Sequence, residues 1–276
     1  MPELPEVETV RRALVPALAG ASIVGVEVGH ARMLRRQPRP RDFRDRLLRR
    51  RVNSVGRHGK FLMIDLDGDL TWVAHLGMSG RVGLEPPGAD RAAHTHVVVE
   101  TDGEQEMHFV DPRTFGFMAV YTPEEFEAET FAKLGPDALT DLPRYPALVP
   151  RMEGRTVAIK SLLLDQRFVA GLGNIYADEV LHRSHIRPMR PSGTLTTEEI
   201  RALRNSIVPV LQAGLRWGGT SLNDLAYLLP DGRAGEYTRR LRVYGREGAP
   251  CKRDGTPIER TVIGGRSSFW CPTCQG

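Results

Sequence analysis

The chain opens Met1-Pro2-Glu3-Leu4-Pro5-Glu6, and loss of Met1 turns Pro2 into a free secondary amine followed closely by the carboxylates of Glu3 and Glu6. A terminal α-amine titrates near pH ~8, so part of it is unprotonated and nucleophilic at neutral pH. Attack by proline on a sugar or carbonyl carbon gives an iminium with no N–H to lose. It stays cationic and can act as an electron sink for elimination at the neighbouring carbon. Glu3 can supply the proton that a leaving group needs, and Glu6 can position water or the amine. The plainer reading is that Met-Pro is a processed start and that Pro5 opens a helix, as prolines do at a first helical position.

The other end of the chain carries a second candidate site. All three cysteines lie there, in Cys251-Lys252-Arg253-Asp254 and Cys271-Pro272-Thr273-Cys274. This is the spacing of a zinc ribbon with an aspartate in one of the four ligand positions. Zinc accepts carboxylate oxygen, so Cys251, Asp254, Cys271 and Cys274 form an allowed set for one structural zinc ion. The alternative is a hairpin without metal, held by Val262, Ile263, Phe269 and Trp270. In either case Gly264-Gly265-Arg266-Ser267 reads as the hairpin tip, exposing Arg266 where it can reach a partner.

The elements that must position these ends follow from periodicity. From Glu6 to Leu18 the apolar Val7, Val10, Leu14 and Leu18 recur at helical steps. Short β-rich runs come next, at 23–28, 61–66, 70–74, 96–100 and 107–110, with Asp67-Gly68 and Asp102-Gly103 as turns between successive runs. Residues 1 to about 120 therefore predict a β-sandwich with helices at its edges. The proline-rich stretch 134–150 reads as a linker. Helical spacing returns over 157–164, 175–182 and 197–215, the last behind the capping sequence Thr196-Thr197-Glu198-Glu199. Gly171-Leu172-Gly173-Asn174 makes a tight turn able to aim backbone N–H groups at a phosphate. The expected class is α+β: a catalytic sandwich (1–133), the linker, a helical domain (151–230) and a metal-binding hairpin (231–276).

Composition limits the partners. No run approaches the ~18 apolar residues that span a bilayer, and the N-terminus lacks a signal-like apolar stretch. A cytoplasmic location is expected. Residues 32–60 carry a net charge of +10 and residues 231–276 a net +4, whereas the remainder is acidic. Two separated basic segments suit a polyanion, with nucleic acid the first candidate. For Arg44 to Arg51, a solvated helix with Phe43, Leu47 and Leu48 inward is an equally good reading.

Pro2-Glu3-Leu4-Pro5-Glu6, His58-Gly59-Lys60, His75-Leu76-Gly77-Met78-Ser79-Gly80, Asp111-Pro112-Arg113-Thr114-Phe115-Gly116, Gly173-Asn174-Ile175-Tyr176, Val243-Tyr244-Gly245-Arg246 and the terminal knuckles resemble, in order and across the chain, the formamidopyrimidine-DNA glycosylases. The resemblance implies a β-sandwich followed by a helix-two-turn-helix and zinc-finger domain, with DNA in the cleft between them. It implies that Pro2 attacks C1′ of a damaged nucleotide, Glu3 donates a proton as the base leaves, Lys60 serves in β-elimination, and Arg266 assists δ-elimination and contacts phosphate. Met78, Arg113 and Phe115 match the residues that fill the gap left by a flipped base. His94, Arg155 and Asn174 match contacts to the DNA backbone, with Lys160 nearby as a further one. Two positions depart from the family pattern: Asp254 for a cysteine, and Thr114 where some relatives have a basic residue.

The function this implies is base-excision repair of double-stranded DNA, removing 8-oxoguanine and formamidopyrimidines and then cutting the strand by β,δ-elimination. The enzyme is expected to be a nucleoid-associated monomer with no obligate protein partner and no membrane association. Endonuclease VIII-type enzymes, which prefer oxidised pyrimidines, are the nearest alternative. Leu4 and the polar loop from Gly218 through Leu222, Asn223 and Asp224 favour the purine branch. A silent lesion-binding protein, which a retained Met1 would produce, is the alternative from another class.

Overall fold

The computed structural model describes residues 2–221 and 227–276. Removal of Met1 and the loop tip at Leu222, Asn223 and Asp224 therefore lie outside the described residues. By its contacts the chain divides into two compact units, Met1–Lys133 with Trp217–Thr238, and Leu134–Arg216 with Arg239–Gly276.

In the first unit, α1 (Leu4–Leu18) starts two residues earlier than the apolar repeat alone predicts. Pro5 sits in its first turn, where a missing N–H costs nothing, and the Glu6 carboxylate accepts the Glu3 N–H at 2.8 Å. Val7, Val10, Leu14 and Leu18 form a fully buried stripe. Eight strands follow: β1 (Ile23–Val28), β2 (Val52–His58), β3 (Phe61–Leu66), β4 (Leu70–His75), β5 (Arg81–Glu85), β6 (Thr95–Thr101), β7 (Glu106–Val110) and β8 (Phe117–Tyr121). They make two antiparallel sheets, ordered β1-β6-β7-β5 and β2-β3-β4-β8. Leu62, Ile64 and Leu66 alternate inward along β3, and Ile64 faces Trp72 across the ladder. One core joins residues of both sheets to the α1 stripe and to Tyr227 from the returning segment.

The basic stretch holds α2 (Pro40–Leu47), which buries Phe43 and Leu47 and leaves Leu48 half-buried. Much of the local positive charge is used internally. Arg46 pairs with Glu125, Arg39 with Asp42 at 2.8 Å, and Arg57 with Glu8 at 3.1 Å. Glu125 lies on α3 (Pro123–Ala128), which Thr122 and Glu125 open as a reciprocal capping box.

The second unit contains α4 (Tyr145–Met152), α5 (Ile159–Leu164), α6 (Asn174–Arg183) and α7 (Thr197–Arg216), then the hairpin of β9 (Glu259–Ile263) and β10 (Arg266–Trp270). Two stretches sit differently from the expected boundaries. Residues 134–150 pack into this unit: Ala138 N–H donates to Ala170 O and Ala170 N–H to Pro136 O, both at 2.9 Å, while α4 buries Leu148 and Met152. The prolines there shape turns and open α4 without loosening the chain. Residues 217–238 return to the first unit, where Tyr227 enters the core. Of the four residues expected to hold the terminal hairpin, Phe269 and Trp270 are buried but Val262 is 64% exposed. A two-stranded ribbon has one open face, and Val262 lies on it. Among the described residues no helix is long and apolar enough to cross a membrane.

Candidate active site, DNA-contacting loops and metal centre

Pro2, Glu3 and Glu6 are all buried at the start of α1. Glu6 does not stand beside the amine as a loose base. One carboxylate oxygen holds the Glu3 N–H, and the other accepts the Thr220 N–H at 2.7 Å. Gly219, at φ +82°, passes so close that a Cβ there would lie 2.7 Å from the Glu6 side chain. Glu6 thus fixes the backbone of Glu3 and ties the returning segment to the chain start. Two residues along α1, Glu8 receives Arg11, Arg12 and Arg57. Burial alone would raise its pKa, but these three guanidiniums hold the carboxyl down at about 2. Lys60 follows Gly59 (φ +57°) in the β2–β3 turn and is mostly buried. His75 is pushed down to about 4 by burial, with the charges of Lys60, Arg36 and Arg35 adding to it.

The three expected gap-filling residues come from two loops that touch. Gly77 takes φ +63°, and a Cβ there would lie 2.4 Å from Gly116 N and from the Phe115 carbonyl carbon, so the Met78 turn packs directly on the 111–116 loop. The buried Asp111 carboxylate organises that loop, accepting Ser79 Oγ–H and Gly116 N–H at 2.6 Å each. Thr114 adopts φ +54°. Arg35 donates to Phe115 O and Gly116 O, and Arg32 donates to Thr114 O. The result is a braced platform on which Arg113 lies over the Phe115 ring at 5.2 Å. Phe115 is 42% exposed, Arg113 is exposed and Met78 is half-buried. His94 (φ +66°) is exposed at the entrance to β6.

In the second unit Arg155 and Arg266 are exposed, and the two-residue turn Gly264-Gly265, both at positive φ, puts Arg266 at the hairpin tip as expected. Lys160 is placed differently from its expected role. It is fully buried, 2.7 Å from Asp178 Oδ1, and donates to Ser267 O at 2.8 Å. No part of it is exposed to touch a phosphate. Asn174 is half-buried and its side-chain amide also donates to Ser267 O, at 3.0 Å. The Asp178 carboxylate in turn accepts the Phe269 N–H at 2.9 Å, and burial pushes its pKa up to about 7 while Lys160 opposes the shift. The neighbouring Glu179, its pKa raised by burial, accepts the N–H groups of Arg242, Val243 and Tyr244. Consecutive acids on α6 therefore anchor the hairpin's second strand and the segment that leads to the hairpin. Gln166 braces the turn before α6, accepting Gly171 N–H and donating to Leu164 O and Leu172 O. The only sequence signal for Asp178 is its i+3 spacing from Ile175 on the inward stripe, and Gln166 had none.

Cys251, Asp254, Cys271 and Cys274 converge, their ligand atoms all within 4.8 Å of one another. Cys251 and Cys274 Sγ are 3.8 Å apart, and Asp254 Oδ2 is 3.4 Å from Cys271 Sγ. Donors on one tetrahedral zinc stand about 3.5–3.8 Å apart, so the set fits one ion. Burial and the two neighbouring sulfurs push the Cys274 thiol up to about 12, a penalty that a bound cation reverses. His182, not singled out from sequence, lies against this cluster.

Known proteins match the chain over its full length. Residues 1–118 match the formamidopyrimidine-DNA glycosylase N-terminal domain, 134–225 the H2TH domain of the same enzymes, and 248–276 the zinc finger found in FPG and IleRS. The chain is 42% identical over 280 residues, covering 100% of it and 99% of its relative, to the formamidopyrimidine-DNA glycosylase of Pelotomaculum thermopropionicum. Among solved structures it resembles the MutM (FPG) protein of Thermus thermophilus, with a TM-score of 0.88 at 39% identity over 100% of this chain and 99% of that one. It also resembles Lactococcus lactis Fpg in complex with abasic-site DNA, with a TM-score of 0.90 at 31% identity over 99% of each chain. A β-sandwich joined to an H2TH domain and a zinc-finger hairpin defines the class of H2TH DNA glycosylases. Within it, the chain belongs to the formamidopyrimidine-DNA glycosylase family.

Proposed function

We propose that this chain is a bifunctional DNA glycosylase and AP lyase of base-excision repair, acting on oxidised purines in duplex DNA. The observation that carries the reading is the buried Pro2-Glu3 start, locked by both oxygens of Glu6, in a chain that matches its relatives end to end. The amine of processed Pro2 forms a bond to C1′ as the C1′–N bond to the damaged base breaks, and Glu3 supplies the proton that departs with the base. The proton given up by the Pro2 nitrogen passes to O4′ as the C1′–O4′ bond breaks, which opens the sugar and leaves C1′ joined to Pro2 as the iminium. The cationic iminium then acidifies C2′–H. Loss of that proton expels the 3′ phosphate, Lys60 serving this β-elimination, and a second elimination releases the 5′ phosphate with Arg266 stabilising its charge. Met78, Arg113 and Phe115 occupy the space of the extruded nucleotide; the exposed cation and aromatic ring suit that task, and the braced loop holds them in place.

His94 and Arg155 contact the DNA backbone. Asn174 contributes from the first turn of α6, next to Ser267 on the hairpin. Lys160 is better read as a support of the hairpin than as a phosphate ligand. The zinc-finger hairpin holds one structural zinc, which would supply cross-linking of the two knuckles beneath Arg266. The catalytic domain is proposed as 1–133 completed by 217–238, and the protein acts as a cytoplasmic, nucleoid-associated monomer.

Borohydride reduction of processed protein with duplex DNA carrying a single 8-oxoguanine tests the reading. The expected product is a covalent adduct whose peptide mass places the link at Pro2. An adduct only with an oxidised pyrimidine would move the chain to the endonuclease VIII type, and binding without any adduct would make it a sensor.

A further inference from the structure

The metal centre has more donors around it than a single tetrahedral ion needs. His182, in the last turn of α6, is almost fully buried. Its Nε2 lies 3.6 Å from Cys251 Sγ and 3.5 Å from Cys274 Sγ, facing the edge between two sulfurs that are themselves 3.8 Å apart. The spacings to these two sulfurs match the about 3.5–3.8 Å between nitrogen and sulfur donors sharing one zinc, while Nε2 stands just outside the set of four whose ligand atoms all lie within 4.8 Å of one another. Asp254 sits on a different part of the cluster. It is exposed, leans on Cys271 at 3.4 and 3.6 Å, and spends Oδ1 on the Thr256 N–H at 2.9 Å.

The helix end bearing His182 is also fixed to the knuckle. Arg253, between Cys251 and Asp254, donates to His182 O at 2.8 Å, and His185 pairs with Cys274 O at 2.8 Å. Imidazole is a good zinc donor beside thiolates, and three cysteines with one histidine is a common closed structural set.

We propose that His182 is an alternate ligand of this centre: with its proton on Nδ1, its Nε2 takes the fourth position of the zinc ion when Asp254 gives it up. The aspartate in the knuckle is then tolerated because α6 supplies a nitrogen from outside the ribbon. The proposal rests on the metal-centre reading, and the test separates the two.

Cobalt titration of wild type, Asp254→Ala, His182→Phe and the double variant, followed by the d–d absorption of tetrahedral Co²⁺, measures each donor. Wild type and each single variant should bind Co²⁺ within about tenfold of one another, and the double variant should bind at least about 100-fold more weakly. Phenylalanine keeps the buried ring volume, and His182→Phe retaining cobalt through Asp254 shows that the hairpin is still folded. In ¹¹³Cd-loaded Asp254→Ala with ¹⁵N-labelled histidine, a ¹¹³Cd–¹⁵N coupling should appear on His182 Nε2. Equal cobalt affinities for Asp254→Ala and the double variant, or no coupling in Asp254→Ala, overturns the proposal while leaving the metal centre intact. Failure of the wild type to bind cobalt overturns both.

Discussion

Replacing Lys160 by methionine distinguishes sharply between the two roles a lysine can have in this unit. Methionine keeps most of the side-chain volume but leaves the Asp178 carboxylate buried without its cation, and Ser267 O without the Nζ donor. Breaking one partner of a buried ion pair costs about 3–5 kcal/mol, whereas removing the charge from both is often near neutral. At a urea slope of about 2 kcal/mol per molar, a loss of that size lowers the unfolding midpoint by about 2 M. Lys160→Met should therefore be strongly destabilised when followed by tryptophan fluorescence. Lys160→Met with Asp178→Asn should recover more than half of the loss, since the amide oxygen still accepts the Phe269 N–H. The salt dependence of DNA binding, measured where the variant is folded, should keep its slope. A phosphate-contacting lysine predicts the reverse: stability within about 0.5 kcal/mol of wild type and a log–log salt slope smaller by about 0.9. That pair of results would refute the reasoning.

Gly77→Ala puts a Cβ into the Phe115–Gly116 backbone at a positive φ; it should destabilise the protein by at least about 2 kcal/mol and slow excision more than it slows cleavage of a preformed abasic site. Glu6→Gln leaves one of two backbone N–H groups facing an amide NH₂, a loss of about 1.5–3 kcal/mol. Hydrogen exchange at Thr220 should accelerate accordingly, and unchanged protection there would remove Glu6 from its positioning role. The Glu8 carboxyl is held at about 2 against an ordinary 4.5, so its contribution is complete above pH 4.5 and lost as pH falls towards 2. Allowing for partial solvent screening, wild type should exceed Glu8→Gln by about 2 kcal/mol at pH 6 and converge with it near pH 2; parallel curves in acid urea titrations would contradict this.

Much of this architecture is legible in the sequence because it is written in period. The stripe Val7, Val10, Leu14, Leu18 and the alternation along β3 mark elements whose burial depends on local spacing alone. The chain ends are legible because unusual chemistry is crowded there: a penultimate proline between acids, and cysteines at knuckle spacing. What stayed hidden depends on long-range pairing. Lys160 and Arg266 read alike as basic residues, and only the fold sets one against Asp178 and leaves the other exposed. The segment 217–238 is glycine-rich and aperiodic, so nothing local announces that Thr220 must return to Glu6. His182 falls on the buried stripe of α6, where a histidine reads as ordinary packing until the cysteines are placed beside it.

The return of residues 217–238 bears on how this protein is made. A ribosome delivers Pro2 and Glu3 first, and the sheets of the first unit can form soon afterwards, yet the partner of Glu6 arrives more than two hundred residues later. Until then Glu6, which holds the backbone of Glu3, lacks its tie to Thr220, and the core lacks Tyr227. Folding of the first unit therefore finishes only after the H2TH helices have been synthesised. A nascent chain, or one truncated before residue 217, carries the nucleophile and its acid without the segment that fixes them, so the nucleophile is not fully set until the parts proposed to hold DNA have largely emerged.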